Sequence, residues 1–263
     1  MMSAVVVQRE GSLARIVMNR PEVHNAFDDG LIADLTGAIA AVGADDTVRV
    51  VVLTGEGLSF SAGADLHWMR GMATASEEEN RADSLKLAKL MRDLQFLAKP
   101  TIAQVNGAAY GGGVGLIACC DIAIGAEHAK FALSEVKLGL VPAVISPYVI
   151  AAIGLRAARR LFLTGEVFDA RRALDIGLLH EVTAPDQMSA AVNHVVALLG
   201  KGGPIAQREA KRLALGMGGM THMQAHHVDE QNAALIARLR VSREGQEGLS
   251  AFLGKTTPPW MAA

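Results

Sequence analysis

The sequence contains only two cysteines, Cys119 and Cys120, and they are neighbours. Adjacent cysteines rarely pair with each other, so no disulfide framework is available, and a reducing, cytoplasmic setting is expected. We expect both to be small, buried side chains. The first residues include neither a basic segment nor a long apolar core, so no secretory signal is predicted.

The chain also lacks a strong charge of either sign. Its 25 Lys and Arg against 27 Asp and Glu give a net charge of −2, which offers no electrostatic case for binding nucleic acid or an anionic membrane. No apolar run approaches the ~20 residues that a membrane helix requires. Partners of both kinds are therefore predicted to be absent.

A metal-binding motif is missing as well. His222, His226 and His227 lie on one predicted helix, but no H-E-x-x-H sequence is present. We interpret them as interface or surface histidines and predict no metal site. Charged residues crowd the stretch Ser76–Arg92, which is interpreted as the solvated face of a helix.

Aromatic residues make up only 4% of the 263 residues, although 51% are hydrophobic. The core is therefore expected to consist mainly of Ala, Val, Leu, Ile and Gly. With 20% charged residues the chain has enough apolar content to fold. Its length suits one α/β domain with an added terminal piece.

The pattern of apolar residues alternates between strands and helices up to about residue 140. The predicted strands are Ala4–Gln8, Ala14–Met18, Val48–Thr54, Thr101–Val105, Ile122–Ile124 and Lys130–Leu133. The first helix is predicted to begin at Asp28 or Asp29 and the second at Ser76. Beyond Pro147 the pattern is mainly helical, so the predicted fold is an α/β core followed by helices.

Two loops rich in glycine and alanine follow buried strands, Phe60–Leu66 and Asn106–Gly113. Such residues carry no functional side chain, but they leave backbone N–H groups open to a ligand. Together the loops could form an oxyanion hole for a developing enolate. Alternatively, they are tight turns. A phosphate-binding interpretation is weak because no G-x-x-x-x-G-K-[ST] motif is present.

Six segments match, in order and spacing, the motifs of a known family. They are Arg20–Ala26, Phe60–Met69, Asn106–Ile122, Phe131–Gly139, Leu163–Leu178 and Glu247–Phe252. On these motifs, over nearly the whole chain, the sequence resembles the enoyl-CoA hydratase/isomerase (crotonase) superfamily. The resemblance implies a ββα spiral core over residues 1–195 and a helical trimerisation region over 196–263. It also implies a homotrimer or hexamer.

The resemblance also implies a site for an acyl-CoA thioester, with coenzyme A as part of the substrate and no separate cofactor. The N–H groups of Ala64 and Gly112 would form the oxyanion hole, and Glu135 would move the proton. The residues implied for coenzyme A are Val23, His24, Ala62, Asp65, Leu66 and, from a neighbouring subunit, Phe252. Those implied for the substrate pocket are Trp68, Tyr110, Gly111, Gly115, Ser134, Pro142 and Ala143.

One position departs from the commonest hydratases of this family, which carry a second catalytic glutamate where this chain has Gly115. Hydratase and double-bond isomerase therefore both stay open, as does a non-catalytic acyl-CoA binder. The segments Gly112–Asp121 and Leu140–Pro147 resemble bacterial methylglutaconyl-CoA and isohexenylglutaconyl-CoA hydratases. Substrates of both groups carry a second carboxylate, and the sequence does not identify its partner.

Overall fold

The structure is a computed structural model that describes residues 3–261. The strands are β1 Val5–Glu10, β2 Leu13–Met18, β3 Val50–Gly55, β4 Ser59–Ser61, β5 Thr101–Val105, β6 Ala108–Tyr110, β7 Ile122–Ala126, β8 Lys130–Ala132, β9 Val167–Asp169 and β10 Glu181–Thr183. The helices are α1 Asp29–Ala44, α2 Leu66–Thr74, α3 Glu77–Gln95, α4 Gly112–Cys119, α5 Ser146–Thr164, α6 Ala170–Asp175, α7 Met188–Gly200, α8 Pro204–Met217, α9 His222–Val241 and α10 Arg243–Gly254.

The strands form two sheets in the described part of the chain. The larger has the order β1-β2-β3-β5-β7-β10, and only its β1–β2 hairpin is antiparallel. The smaller has the order β4-β6-β8-β9, with β4, β6 and β8 parallel. Successive turns of the chain therefore add one strand to each sheet, and the predicted α/β architecture is confirmed.

Local sequence explains where the predicted helices begin. The Asp28 carboxylate caps α1 by accepting a hydrogen bond from the Leu31 N–H at 2.8 Å. Ser76 and Glu79 form a reciprocal capping box at the start of α3. Both predicted helix starts are confirmed. Helix α2 and the three-residue strands β4, β6, β9 and β10 have no counterpart among the predicted elements.

The core is largely aliphatic, as the composition predicts. On one face of the larger sheet, α7 packs Met188 and Val192 against Val50 and Ile102. The cysteines Cys119 and Cys120 are both buried, and burial raises the pKa of the Cys120 thiol to about 12. Neither cysteine is therefore a thiolate at neutral pH.

Helices α9 and α10 complete the cavity described below. Helix α9 packs along α3, and α10 packs on the 3-10 helix Glu135–Leu138. The predicted boundary between residues 195 and 196 falls inside α7, so the chain has no structural break there. The division into an α/β part and a helical part stays a prediction. Between residues 3 and 261, no helix is long and apolar enough to cross a membrane.

Candidate active site

A cavity of about 350 Å³ lies between the two glycine-rich loops and the C-terminal helices. This volume falls within the ~300–1,000 Å³ of small-molecule pockets. Most of the predicted site residues line it, namely Ala62, Ala64, Trp68, Tyr110, Gly111, Gly112, Ser134, Glu135, Pro142, Ala143 and Phe252. The structure thus brings both loops and the candidate carboxylate together.

The loop before α2 leaves the N–H of Ala64 unused. Phe27 bridges this loop: its N–H donates to Gly63 O at 2.6 Å, and its carbonyl accepts from the Asp65 N–H at 2.8 Å. Gly112 is the first residue of α4, where N–H groups have no partner inside the helix. No hydrogen bond among residues 3–261 uses the N–H of Ala64 or of Gly112. Two free donors therefore border the cavity.

Gly111 joins the second loop to the candidate acid. Its N–H donates to Ala132 O at 3.0 Å, and its φ of +49° is a conformation that favours glycine. A Cβ at this position would lie 3.1 Å from Glu135 Oε1. The glycine therefore lets the carboxyl group rest against the backbone that leads into α4.

Glu135 is held by its own short helix and by α10. The Leu140 N–H donates to Glu135 O at 3.0 Å. Gly248 of α10 approaches so closely that a Cβ there would lie 2.3 Å from Leu138 O. Helix α10 thus packs directly against the backbone of the segment Glu135–Leu138, and this packing holds the Glu135 carboxyl group at the cavity wall.

The environment of Glu135 suits proton transfer. Its Oε2 is buried and has no hydrogen-bond partner among the described residues. Burial raises the pKa of this carboxyl from 4.5 to about 7, although the backbone N–H of Glu135 acts in the opposite direction. Both the acid and the carboxylate are therefore populated near neutral pH, as a group that accepts and returns a proton requires.

Several predicted residues lie away from the cavity. Val23, His24, Asp65 and Leu66 do not line it, so their role in binding coenzyme A stays a prediction. Asp65 organises its loop, as the sequence interpretation holds. Its Oδ1 accepts from the His67 N–H at 2.8 Å, and its Oδ2 lies 3.3 Å from Arg20 Nη2.

Phe252 lies at an unexpected place. It belongs to α10 and lines the cavity of its own chain, beside Leu249. The resemblance instead implied a contact with the adenine bound to a neighbouring subunit. In this structure Phe252 can therefore contact an acyl group, and the contact across subunits stays a prediction.

Gly115 does not line the cavity, contrary to the prediction. It is buried inside α4, and a Cβ there would lie 2.3 Å from Ile145 Cγ2 and 3.2 Å from Met91 Cε. Ile145 lines the cavity in its place. The position that holds a second glutamate in the commonest hydratases is therefore filled by an aliphatic side chain, and Glu135 has no partner carboxylate at that position.

We expect Gly115→Ala to lower the free energy of unfolding by ~1–3 kcal/mol, because the added methyl overpacks a filled site. Ile145→Leu in the same chain removes the Cγ2 conflict but keeps the Ile145 Cβ position, 2.9 Å from the added methyl, and should restore only part of the loss. Gly37→Ala is the matched control, since Gly37 lies in α1 with open space around it and should be neutral or stabilising. Urea denaturation measures all three, and a fully stable Gly115→Ala protein would contradict the packing argument.

A polar cluster that the sequence motifs do not indicate lies in the cavity wall and is formed by Trp68, Asp83 and Arg240. Asp83 is buried, so its assignment to a solvated helix face is wrong. Burial raises its pKa to about 6. The Arg240 guanidinium lies over the Trp68 ring, 5.5 Å from its centroid. One sequence signal could have indicated this cluster. Asp83 and Ser84 follow Asn80 by three and four residues, so all three lie on one face of α3 and form a polar stripe that is buried.

Metal binding gains no support from the geometry. No group of three or more His, Cys, Asp or Glu within residues 3–261 is arranged to hold an ion. His222 packs edge-on against Phe96 with 5.3 Å between ring centroids, and His227 Nε2 lies 3.1 Å from Gln231 Nε2. All three histidines of α9 are exposed, as surface histidines would be.

Two sheets built by a ββα spiral, with two free N–H groups beside one buried carboxyl, define an enzyme of the crotonase class. The family model described as Enoyl-CoA hydratase/isomerase matches residues 8–263. The chain belongs to this family.

Two relatives and one solved structure are similar over nearly their full length. The chain is 32% identical to the 2,3-dehydroadipyl-CoA hydratase of Escherichia coli (strain K12), covering 98% of each protein. It is also 32% identical to the crotonyl-CoA hydratase of Syntrophomonas wolfei, covering 95% of each. The crystal structure of an enoyl-CoA hydratase from Shewanella pealeana superposes with a TM-score of 0.80 at 43% identity, covering 98% of this chain and 96% of that one.

Proposed function

We propose that this protein hydrates an α,β-unsaturated acyl-CoA thioester and that its substrate is 3-methylglutaconyl-CoA. The observation that carries the proposal is the unpartnered Glu135 Oε2 in a cavity bordered by the free N–H groups of Ala64 and Gly112. Coenzyme A enters as part of the substrate, and we propose no separate cofactor.

The proposed reaction needs one carboxylate. The thioester oxygen accepts hydrogen bonds from the Ala64 and Gly112 N–H groups. Glu135, as the carboxylate, takes a proton from water while the water oxygen bonds to C3. The electron pair of the double bond then moves to the thioester, giving an enolate. Glu135, now the acid, returns the proton to C2, so the product gains one water and the enzyme is regenerated.

Two lines of support favour the branched substrate. The segments Gly112–Asp121 and Leu140–Pro147 resemble methylglutaconyl-CoA hydratases. One relative is named for 2,3-dehydroadipyl-CoA, whose acyl chain also ends in a carboxylate. Isohexenylglutaconyl-CoA is the alternative with a longer chain. A non-catalytic acyl-CoA binder would have no use for a carboxyl of raised pKa beside two free donors.

Double-bond isomerisation is the second candidate, and the filled space at Gly115 favours it. An isomerase needs one group that carries a proton from C2 to C4, which Glu135 could do. No water enters the product in that reaction. The mass of the product therefore separates the two functions.

The test follows the loss of enoyl-thioester absorbance when purified protein is added separately to crotonyl-CoA and 3-methylglutaconyl-CoA. We expect turnover of both, faster for the branched substrate, with a product heavier by one water. Butyryl-CoA, which has no double bond, is the control. A product of unchanged mass would contradict hydration and indicate isomerisation. If neither substrate is turned over, the proposed reaction is wrong for both.

We further propose that the protein works in the cytoplasm as a homotrimer or hexamer. The location rests on the two unpaired cysteines and the assembly on the family resemblance. A homotrimer or hexamer would sediment at three or six times the 27.6 kDa of the chain.

A further inference from the structure

Helices α3 and α9 are joined by two buried ion pairs that differ in geometry and in position. Arg92 of α3 contacts Asp229 of α9 directly through a hydrogen bond. In the second pair the charges are exchanged: Asp83 of α3 faces Arg240 of α9. Only this second pair lines the cavity.

The second pair is open. Arg240 Nη1 lies 3.6 Å from Asp83 Oδ2, too far for a hydrogen bond, and Asp83 Oδ2 has no other partner among the described residues. Asn80 Oδ1, at 3.2 Å, accepts the Arg240 hydrogen bond instead. A guanidinium carries five N–H donors, so most of its capacity is unused. If the second ion pair served only to join the helices, we would expect a direct hydrogen bond between its partners, as in Arg92–Asp229.

Trp68 adds a second unused donor to the same wall. Its ring lies under the Arg240 guanidinium, and its Nε1 is buried near the Asp29 carboxylate without a geometric hydrogen bond to any residue from 3 to 261. Buried polar groups in native proteins are nearly always hydrogen-bonded, so an unmet set in one cavity indicates a ligand group that satisfies it. A carboxylate accepts from a guanidinium and an indole N–H together.

We infer that Arg240, with Trp68, binds a carboxylate at the far end of the acyl chain, so that the enzyme selects acyl-CoA thioesters of dicarboxylic acids over those with a neutral chain. This inference rests on the proposed function, because it assumes that the cavity holds the acyl group of a CoA thioester. Asn80 and the Trp68 ring hold the guanidinium in place.

Asp83 is the group that opposes an incoming anion. Around it stand Arg240, Asp29 and Lys86, and Lys86 Nζ already pairs with Asp29 at 2.9 Å. The four charges cancel, so a bound carboxylate adds one negative charge to the wall. Burial has already raised the pKa of Asp83 to about 6, and the anion would raise it further. Asp83 can therefore take up a proton and donate a hydrogen bond to the ligand.

The experiment compares two saturated thioesters that no hydratase consumes. Glutaryl-CoA and pentanoyl-CoA both have five-carbon acyl chains, and only the first ends in a carboxylate. Calorimetric titration should show that the wild-type protein binds glutaryl-CoA at least ~10-fold tighter. In Arg240→Met this affinity should fall by ~10- to 100-fold, with pentanoyl-CoA binding changed by less than about 3-fold. Trp68→Phe keeps the ring but loses the donor, and should weaken glutaryl-CoA binding alone, by ~3- to 10-fold.

Matched variants separate recognition from folding. Arg238→Met removes an exposed arginine of the same helix and should keep the preference of the wild type. Arg240→Lys should keep part of it, since a cation remains. Equal weakening of both ligands in Arg240→Met would overturn the inference. Lys137 is a second cation that lines the same cavity, and loss of the preference in Lys137→Met instead would overturn it as well. A wild-type protein without a preference would overturn it too.

The proposed function fails on a different result. If no enoyl thioester is turned over but the preference for glutaryl-CoA depends on Arg240, hydration is wrong and the recognition of the carboxylate stands. If crotonyl-CoA is hydrated and the preference is absent, the reaction stands and the inference is wrong.

Discussion

Glu135→Gln is expected to lower kcat for enoyl-CoA hydration by about 10³-fold, with little change in the Kd for a saturated CoA thioester. The substitution keeps the size of the side chain and removes the group that carries the proton in the proposed reaction. General acid–base catalysis contributes ~10²–10⁴-fold, and in the proposed reaction one carboxyl performs both steps. Stopped-flow absorbance and calorimetry measure the two quantities.

The same variant provides its own folding control through pH. The Glu135 pKa is about 7 in the folded protein and ~4.3 in an unfolded chain, so the folded state holds the proton more tightly. Wild-type stability from this group is fully present below pH ~4.5 and is lost as pH rises through about 7. Glutamine does not titrate. Above pH 7, Glu135→Gln should therefore be the more stable protein, by up to ~3 kcal/mol.

Full activity in Glu135→Gln would end the assignment of Glu135 as the proton carrier. Low activity together with a loss of stability at every pH would mean that the variant is misfolded. The expected outcome is an inactive protein that is more stable than the wild type at high pH. This result would show that the loss of activity comes from the loss of the carboxyl group and not from misfolding. It would also confirm that burial raises the pKa of this carboxyl.

The long apolar segments of the fold could be predicted from sequence. Thr101–Val105 forms a strand with the predicted bounds, because a short, mostly apolar segment bounded by Pro100 and Asn106 is too short for a helix and favours a strand. The three-residue strand β4 could not be predicted. Its pairing depends on β6, which is far away along the chain, and three residues carry no periodicity of their own. Helix α2 was missed because it begins inside a loop motif.

Some residues of the site could also be predicted from sequence and others could not. Ala64, Gly112 and Glu135 are predictable because each lies within a local motif. Ile145, which fills the space at Gly115, could not be found, since nothing in the sequence shows which side chain covers a buried glycine. The pairing of Asp83 with Arg240 joins two helices far apart along the chain, and only packing shows that both line one cavity.

Gly112→Pro is expected to lower kcat/KM for crotonyl-CoA by ~10²–10³-fold relative to Gly112→Ala. Proline has no N–H, so this change removes one donor of the oxyanion hole, and the loss of a single such donor costs ~10²–10³ in rate. Gly112 is the first residue of α4, the helical position that accepts proline best. The fold should therefore survive the substitution.

Gly112→Ala is the matched control, because it adds a Cβ but keeps the N–H. That Cβ would lie 3.1 Å from Phe27 Cε2 in either variant, so steric crowding of the ring is common to both. The ratio of their rates therefore reports the loss of the donor together with the ring Cδ that takes the place of its hydrogen. Equal kcat/KM in two equally stable variants would remove Gly112 from the oxyanion hole and leave Ala64 as the only proposed donor. A large ratio would mean that the enolate is held by the backbone of α4, directly beside the glycine that seats Glu135.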